Sequence, residues 1–330
     1  MAETDQVRGL LALLELKGVG PGAVKKNMDR IRASLTAPDV FQALSSVISD
    51  KGNEGDWQSA LAKADEHVKR CGAVGITMIS ILDPRYPSSL IELGTPPPVL
   101  FCRGNLSLMS SPKLGAIGTR KSNQYGETVA GRIGRHFADN GVAICNGLAD
   151  GIDICSVTAD DTFLPRVIGV MACGLDLLES TLSSKRTRER AQKLLDADGL
   201  LVSELPPGAE EDQNTVIASC RVQAGLSDVL LLVQSSSDGG SKFTVGHFCK
   251  FARMLAFVVP PEAQSNDAAF EANRQLARGE AGLAEFVGLK TAKTVKASLL
   301  PIRSRGDYDS VMRELREPKA HAVAMERVQD

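Results

Sequence analysis

A chain of 330 residues can bury a large core and has room for more than one domain. Its 38 Lys and Arg against 40 Asp and Glu leave a formal charge of −2, which excludes coating of a polyanion by overall charge and leaves a local basic patch as the electrostatic route to nucleic acid. One Trp and three Tyr are too few for a base-stacking platform, no apolar run is long enough to span a bilayer, and seven scattered cysteines without a Cys-x-x-Cys pair carry no zinc signature.

Residues 1–75 read as a helical N-terminal domain. Leu10, Leu11, Leu13, Leu14 and Leu16 form one apolar segment, and Phe41, Leu44, Val47 and Ile48 form another at helical spacing. Between them, Lys17-Gly18-Val19-Gly20-Pro21-Gly22 resembles the turn of a helix-hairpin-helix or SAM-like domain. Gly18, Gly20 and Lys25 are its candidate phosphate contacts. The competing reading is a tight helix link in which glycine serves backbone shape alone. The acidic start, Met1 to Asp5, lacks the basic and apolar regions of a secretory signal, and with the odd cysteine count it points to the cytoplasm.

Residues 76–112 are dense in proline, with Pro84, Pro87, Pro96, Pro97 and Pro98, and read as a connector that packs onto the next domain. Val99 to Cys102 is a predicted strand. From residue 113 to 289 apolar runs recur at 114–117, 142–145, 167–172, 200–203, 228–233 and 255–259. Helix-length segments at 125–139, 185–197 and 244–254 separate most of them. The strand segments do not alternate, as in Val229-Leu230-Leu231-Leu232-Val233, so they are buried on both faces. That predicts an α/β fold with a doubly wound, Rossmann-like and mostly parallel sheet. Residues 290–330 read as a short irregular tail with one strand-like piece near Leu299 and one helical piece near Val311.

Two turns in this domain carry the chemistry. Gly118-Thr119-Arg120-Lys121-Ser122 and Asn146-Gly147-Leu148-Ala149-Asp150-Gly151 each leave a short strand and open a helix. Such turns direct backbone N–H groups and the positive end of a helix dipole at an anion. Arg120 and Lys121 add cations, so the expected ligand carries phosphate. Asp150 is expected to oppose it.

The order of motifs resembles the DprA family, also called Smf, of DNA-processing proteins in bacterial transformation. Tyr86-Pro87-Ser88-Ser89-Leu90, Ile117 to Lys121, Asn146 to Asp153, Cys173-Gly174-Leu175-Asp176, Ser203 to Gly208 and Gly239-Gly240-Ser241 follow in family order. Asn273, Leu276 and Gly279 fit its closing helix. The resemblance implies binding of single-stranded DNA, a homodimer, assistance to a RecA-type recombinase, and no catalytic residues, cofactor or metal. It implies a phosphate pocket of Gly118, Thr119, Arg120, Lys121 and Gly147. Arg221 stands at the end of a basic R-N-R element, and Gly240, Ser241, Lys242 and Thr244 stand in a Ser-Gly-Ser loop. Ser219-Cys220 replaces the first two residues of R-N-R.

Two further readings compete. One is a specialised regulator or antitoxin of this family, with a toxin-like protein partner. The basic run Lys185 to Arg190 could equally flank DNA or be a solvated helix start. The other is a nucleotide-binding or phosphoribohydrolase-like protein with Asp153 or Asp238 as base. An Asp after a Gly-Ile turn is more often a helix cap. No Walker loop and no G-x-G-x-x-G occur. His67, His136, His247 and His321 have no metal-ligand spacing.

Overall fold

A computed structural model of the chain describes residues 2–35, 42, 54–178 and 184–317. The apolar segment around Phe41, Leu44, Val47 and Ile48 lies outside the described residues. The N-terminal region holds α1 (Ala2–Glu15), α2 (Pro21–Lys26), α3 (Met28–Ser34) and α4 (Glu54–Val74). Next come β1 (Thr77–Ser80), α5 (Ser88–Ile91), β2 (Val99–Gly104), β3 (Lys113–Gly118), α6 (Gln124–Asp139), β4 (Ala143–Asn146) and α7 (Ile152–Val157). A small hairpin of β5 (Thr158–Ala159) and β6 (Thr162–Phe163) precedes β7 (Val167–Val170), α8 (Lys185–Asp196), β8 (Leu200–Ser203) and α9 (Gln213–Leu226). The chain continues through β9 (Val229–Gln234), α10 (Ser241–Phe248), β10 (Met254–Val258), α11 (Glu271–Leu276), α12 (Glu280–Phe286), β11 (Ser298–Ile302) and α13 (Tyr308–Arg316).

The main sheet has nine strands in the order β1-β2-β8-β7-β4-β3-β9-β10-β11. From β8 to β11 every pairing is parallel, and β1 and β2 are antiparallel additions at one edge. Strands β4, β7, β8 and β9 are buried along their whole length, as expected where helices cover both faces. The chain leaves β3 for β4 on one side and later returns to β9 on the other. The winding direction therefore reverses between β3 and β9, and a crevice opens beyond their carboxyl ends.

Local sequence explains the covering helices. Asn123 caps α6, its side chain accepting from the Gly126 N–H at 2.8 Å. Ala130, Ile133, Gly134, Phe137 and Ala138 then form its buried stripe. Gly134 has no alternative, because a Cβ there would lie 1.7 Å from the Ser156 carbonyl oxygen. Helix α9, which no periodicity announced, begins in a capping box between Asp212 and Thr215.

The predicted strand at Val99 to Cys102 and the strand-like and helical pieces near Leu299 and Val311 form, and the sheet gives the strands their partners. The proline-dense connector supplies β1 and β2, and β2 pairs with β8 from Phe101↔Ser203 to Gly104↔Leu200. The tail supplies β11, parallel to β10, and α13. Both additions cover what would otherwise be open sheet edges. The helix after β9 spans Ser241–Phe248, earlier and shorter than the apolar run at 244–254, because Cys249 to Arg253 turns into β10. The Cys249 carbonyl accepts instead from Lys296 and Ala297 ahead of β11.

Long polar side chains tie these additions to the sheet. Lys25 donates to the carbonyls of Ile91 at 2.9 Å and Leu93 at 2.5 Å, so it fastens α2 to α5. Arg253 is buried and donates to Gly225, Ser227 and Ser89 carbonyls at 2.9 Å, with Glu92 at 2.8 Å. Asn273 staples β9 to β10. Its Nδ2 donates to Val233 O at 3.1 Å and Val258 O at 2.8 Å, and its Oδ1 accepts from Ser235 N at 3.1 Å. Asn273→Ala is expected to cost about 2–4 kcal/mol, since it leaves buried backbone groups unpaired. Urea denaturation with an unchanged slope and a lower midpoint would show it; an unchanged midpoint would refute the staple.

Candidate functional site

The crevice is built from three loops at the strand ends. The loop after β3 and the loop after β9 start side by side, since Gly118 is paired with Gln234 and the Thr119 N–H donates to Gln234 O at 2.7 Å. The loop after β4 closes on the first one, with Ile152 N donating to Thr119 O at 3.2 Å. Gly151 permits that approach. It sits at φ +77°, and a Cβ would meet Thr119 O at 2.3 Å.

Asp153 locks the first two loops together from beneath. It is 7% exposed, with Oδ1 accepting from Gly118 N at 3.3 Å and Oδ2 from Gly147 N at 3.2 Å. Burial pushes its carboxyl up to about 7, while the backbone N–H groups and Arg120 pull the other way. Gly151, not Asp153, is the cap of α7. Beside it the buried Asn146 donates to Ala116 O at 3.1 Å and Ser156 Oγ at 3.0 Å, and accepts from Leu148 N at 3.0 Å. Leu148 takes a φ of +55° there.

These contacts correct the expected chemistry of the turns. The N–H groups of Gly118, Gly147, Leu148 and Thr119 are already bonded within the protein, and Asn123 fills the cap of α6. What these loops turn to the crevice is side-chain cations. Arg120 and Lys121 are exposed, Lys242 is half-buried, and none of the three is held in an ion pair among the described residues. Lys121 and Lys242 converge from two different loops. The Ser236 hydroxyl, and then the charges of Lys242 and Lys121, hold the Asp238 carboxyl below its ordinary range.

The remaining candidates take other places. Arg221 is drawn into an ion pair with Glu204 and donates to Thr95 O at 2.7 Å, and both charged side chains are only 14% exposed. Burial raises the Glu204 carboxyl and Arg221 pulls it back. Ser241 is buried against Ser235 Oγ at 2.6 Å, Thr244 is buried beside Cys220, and Gly240 caps α10. Lys25 is spent on α5, as above. Gly18, at φ +80°, and Gly20, the cap of α2, shape the hairpin.

Asp150 is no free repulsive charge. Arg190 holds it at 2.7 Å and Arg186 at 3.2 Å, so the basic run on α8 is anchored to the second loop. Arg190 first, then Arg186, keeps the Asp150 carboxyl below its usual range. A feature absent from the sequence reading is Phe243. It is 37% exposed, and Lys242 Nζ lies 5.5 Å from its ring centre. No apolar periodicity marks it, because exposure is decided by the turn before α10. Among the described residues no His, Cys, Asp or Glu group could hold a metal ion, and no helix is long and apolar enough to cross a membrane.

Comparison with known proteins agrees with this geometry. The sequence model of the family described as DNA recombination-mediator protein A matches residues 77–291. Protein Smf of Synechocystis is 27% identical over 269 residues, covering 77% of this chain, which in turn spans 64% of that protein's length. DNA processing protein DprA of Bacillus subtilis is 31% identical over 228 residues, 69% of this chain and 75% of the relative. Among solved structures, DprA of Streptococcus pneumoniae aligns with TM-score 0.68 at 20% identity, over 90% of this chain and 95% of that one. DNA processing protein A of Helicobacter pylori, a protein described by its single-stranded DNA binding mode, aligns with TM-score 0.58 at 21% identity, over 72% of this chain and 96% of that one. These structural likenesses concern the fold.

Two outcomes follow from the electrostatics of the loops. Asp153 has a folded value of about 7 against 3.8 for a free carboxyl, so its contribution to stability is full below 3.8 and is lost as pH rises through 7. Denaturation midpoints taken across that window should fall in the parent protein more than in Asp153→Asn; parallel profiles would refute the assignment. Arg221→Ala should destabilise the fold by about 3 kcal/mol by stranding buried Glu204, while the salt dependence of any anion binding stays as in the parent.

Proposed function

The chain belongs to the DNA recombination-mediator protein A family, and from that premise we propose that it is a cytoplasmic protein that binds single-stranded DNA through backbone phosphates. In this reading it serves DNA processing or recombinase loading and catalyses no reaction. The carrying observation is that Lys121 and Lys242 meet beside Asp238 from the loops after β3 and β9, with exposed Arg120 next to Lys121 on the first of them. Cations from separate loops suit a polymer of phosphates better than a single bound anion. Phe243, exposed beside Lys242, offers one face to a base. A second copy of the chain and a RecA-type recombinase are the proposed partners.

The same geometry disfavours a hydrolase. Asp153 is buried beneath the loops with each oxygen accepting a backbone N–H, which withdraws it from a substrate's water. Asp238 is exposed and lies between two lysines, which weakens it as a base.

Arg120→Ala combined with Lys242→Ala should weaken binding to every single-stranded sequence alike and make the log–log salt slope shallower by about 1.4. Fluorescence anisotropy over a salt series measures both. An unchanged affinity and slope would remove these residues from the interface. Incubation with nucleoside monophosphates should release no free base, and turnover would overturn the non-catalytic reading.

A further inference from the structure

A second recess opens on the same edge of the sheet, beyond the carboxyl ends of β10 and β11. It encloses about 600 Å³ between α6 on one side and the turn leading into α13 on the other. That is the size of a small-ligand pocket. Val258, Val259 and Ile302 form an apolar floor, and Tyr125 and Tyr308 stand in the walls. Tyr308 is buried and stacks obliquely on His136, with ring centres 5.0 Å apart.

The rim carries Arg132 and Arg135 from α6, and Arg303 and Arg305 from the turn before α13. All four are exposed, and Asp139 is the only carboxylate in the lining. The nearby Asp307 carboxylate is spent on the backbone N–H groups of Arg303 and Ser304, each at 2.8 Å. Several other arginines of this chain are matched with carboxylates: Arg190 with Asp150, Arg221 with Glu204, Arg253 with Glu92 and Arg274 with Glu271. The four rim guanidinium groups have no ion-pair partner among the described residues. Like charges gathered around a concave apolar floor repel one another, and a bound anion relieves that repulsion.

A neighbouring hollow shares Tyr125, Val129 and Arg132 with the recess and reaches Asn123 and Gln124, which directly follow the Arg120–Ser122 loop, with Asp267 also in its lining. Along α6, Arg132 lies about 12 Å from the first residue of the helix. One wall of the recess, formed by residues 302–308, falls beyond residue 291, where the family match ends, while α6 and β10 lie within the match.

We propose that this recess is a nucleotide site, which takes one nucleotide unit with its base against the Val258–Ile302 floor and tyrosine walls and its phosphate among Arg132, Arg135, Arg303 and Arg305. Its use by a DNA strand that leaves the β3–β9 crevice rests on the function proposed above; the chemistry of the recess does not. A free nucleotide presents the same base and phosphate, and the test separates the two sources.

The full chain carrying Arg132→Ala and Arg305→Ala is compared with the parent and with the Arg120→Ala, Lys242→Ala variant. The probes are oligothymidylates of about 6 and about 20 nucleotides. Substitution of exposed arginines leaves the melting temperature unchanged, which reports intact folding. The recess variant should bind the long probe about tenfold or more weakly and the short probe as the parent does. The crevice variant should weaken both. Loss with the recess variant but none with the crevice variant would sustain this site and sink the crevice. If no oligonucleotide binds the parent, calorimetry with thymidine monophosphate tests the recess alone, and heat that disappears in the recess variant supports it. Parent-like binding of the long probe together with no recess-dependent nucleotide heat would overturn the proposal. So would a polyglutamate peptide that occupies the arginines in preference to the nucleotide.

Discussion

The architecture of the binding edge depends on one buried carboxylate. Asp153 sits beneath two loops that leave adjacent parallel strands, and it accepts a backbone N–H from each. Without it, the N–H groups of Gly118 and Gly147 would face a low-dielectric interior unpaired. With it, the loops cannot move apart independently. The cost is a carboxyl held far above its ordinary range by burial. The fold therefore spends hydrogen-bonding capacity of these turns on its own rigidity, and the cations of the same loops lie on the outer surface.

That division recurs across the charged residues. Interior-facing cations are absorbed by carbonyls and carboxylates, as Lys25 is by Ile91 and Leu93, Arg253 by Ser89 and Glu92, and Arg221 by Glu204. Charges at the carboxyl edge of the sheet are left toward solvent: Arg120, Lys121 and Lys242 at the crevice, and the arginines of α6 and the Ser304 turn farther along. A chain with a net charge of −2 can thus present local clusters of cations at this edge, with Asp238 and Asp139 among them.

Much of the fold was legible. The six non-alternating apolar runs became strands of the parallel sheet within a residue or two, and the helix-length segment at 125–139 became α6. Those features are local: continuous burial demands continuous apolar sequence, and a cap needs only its own neighbours. What was not legible is non-local. The sequence marked β2 and the piece that became β11 but not which sheet edge each would pair with, and it did not mark β1, which is short and becomes a strand because an open edge of the sheet is there to pair with.

The candidate site divides the same way. By itself the sequence determined the strand-turn-helix pattern, the family and the identity of the cations, because each is written in adjacent residues. Only the tertiary structure decided which cations are available. Arg221 and Arg120 are alike as residues, yet Glu204 arrives from the turn after β8 to pair the first, and nothing among the described residues forms an ion pair with the second. Asp150 looked like a repulsive charge until Arg186 and Arg190 closed on it from α8. Coulombic and hydrogen-bond partners act over a few ångströms in space, whatever their separation along the chain, so the sign of a site is settled when the chain folds.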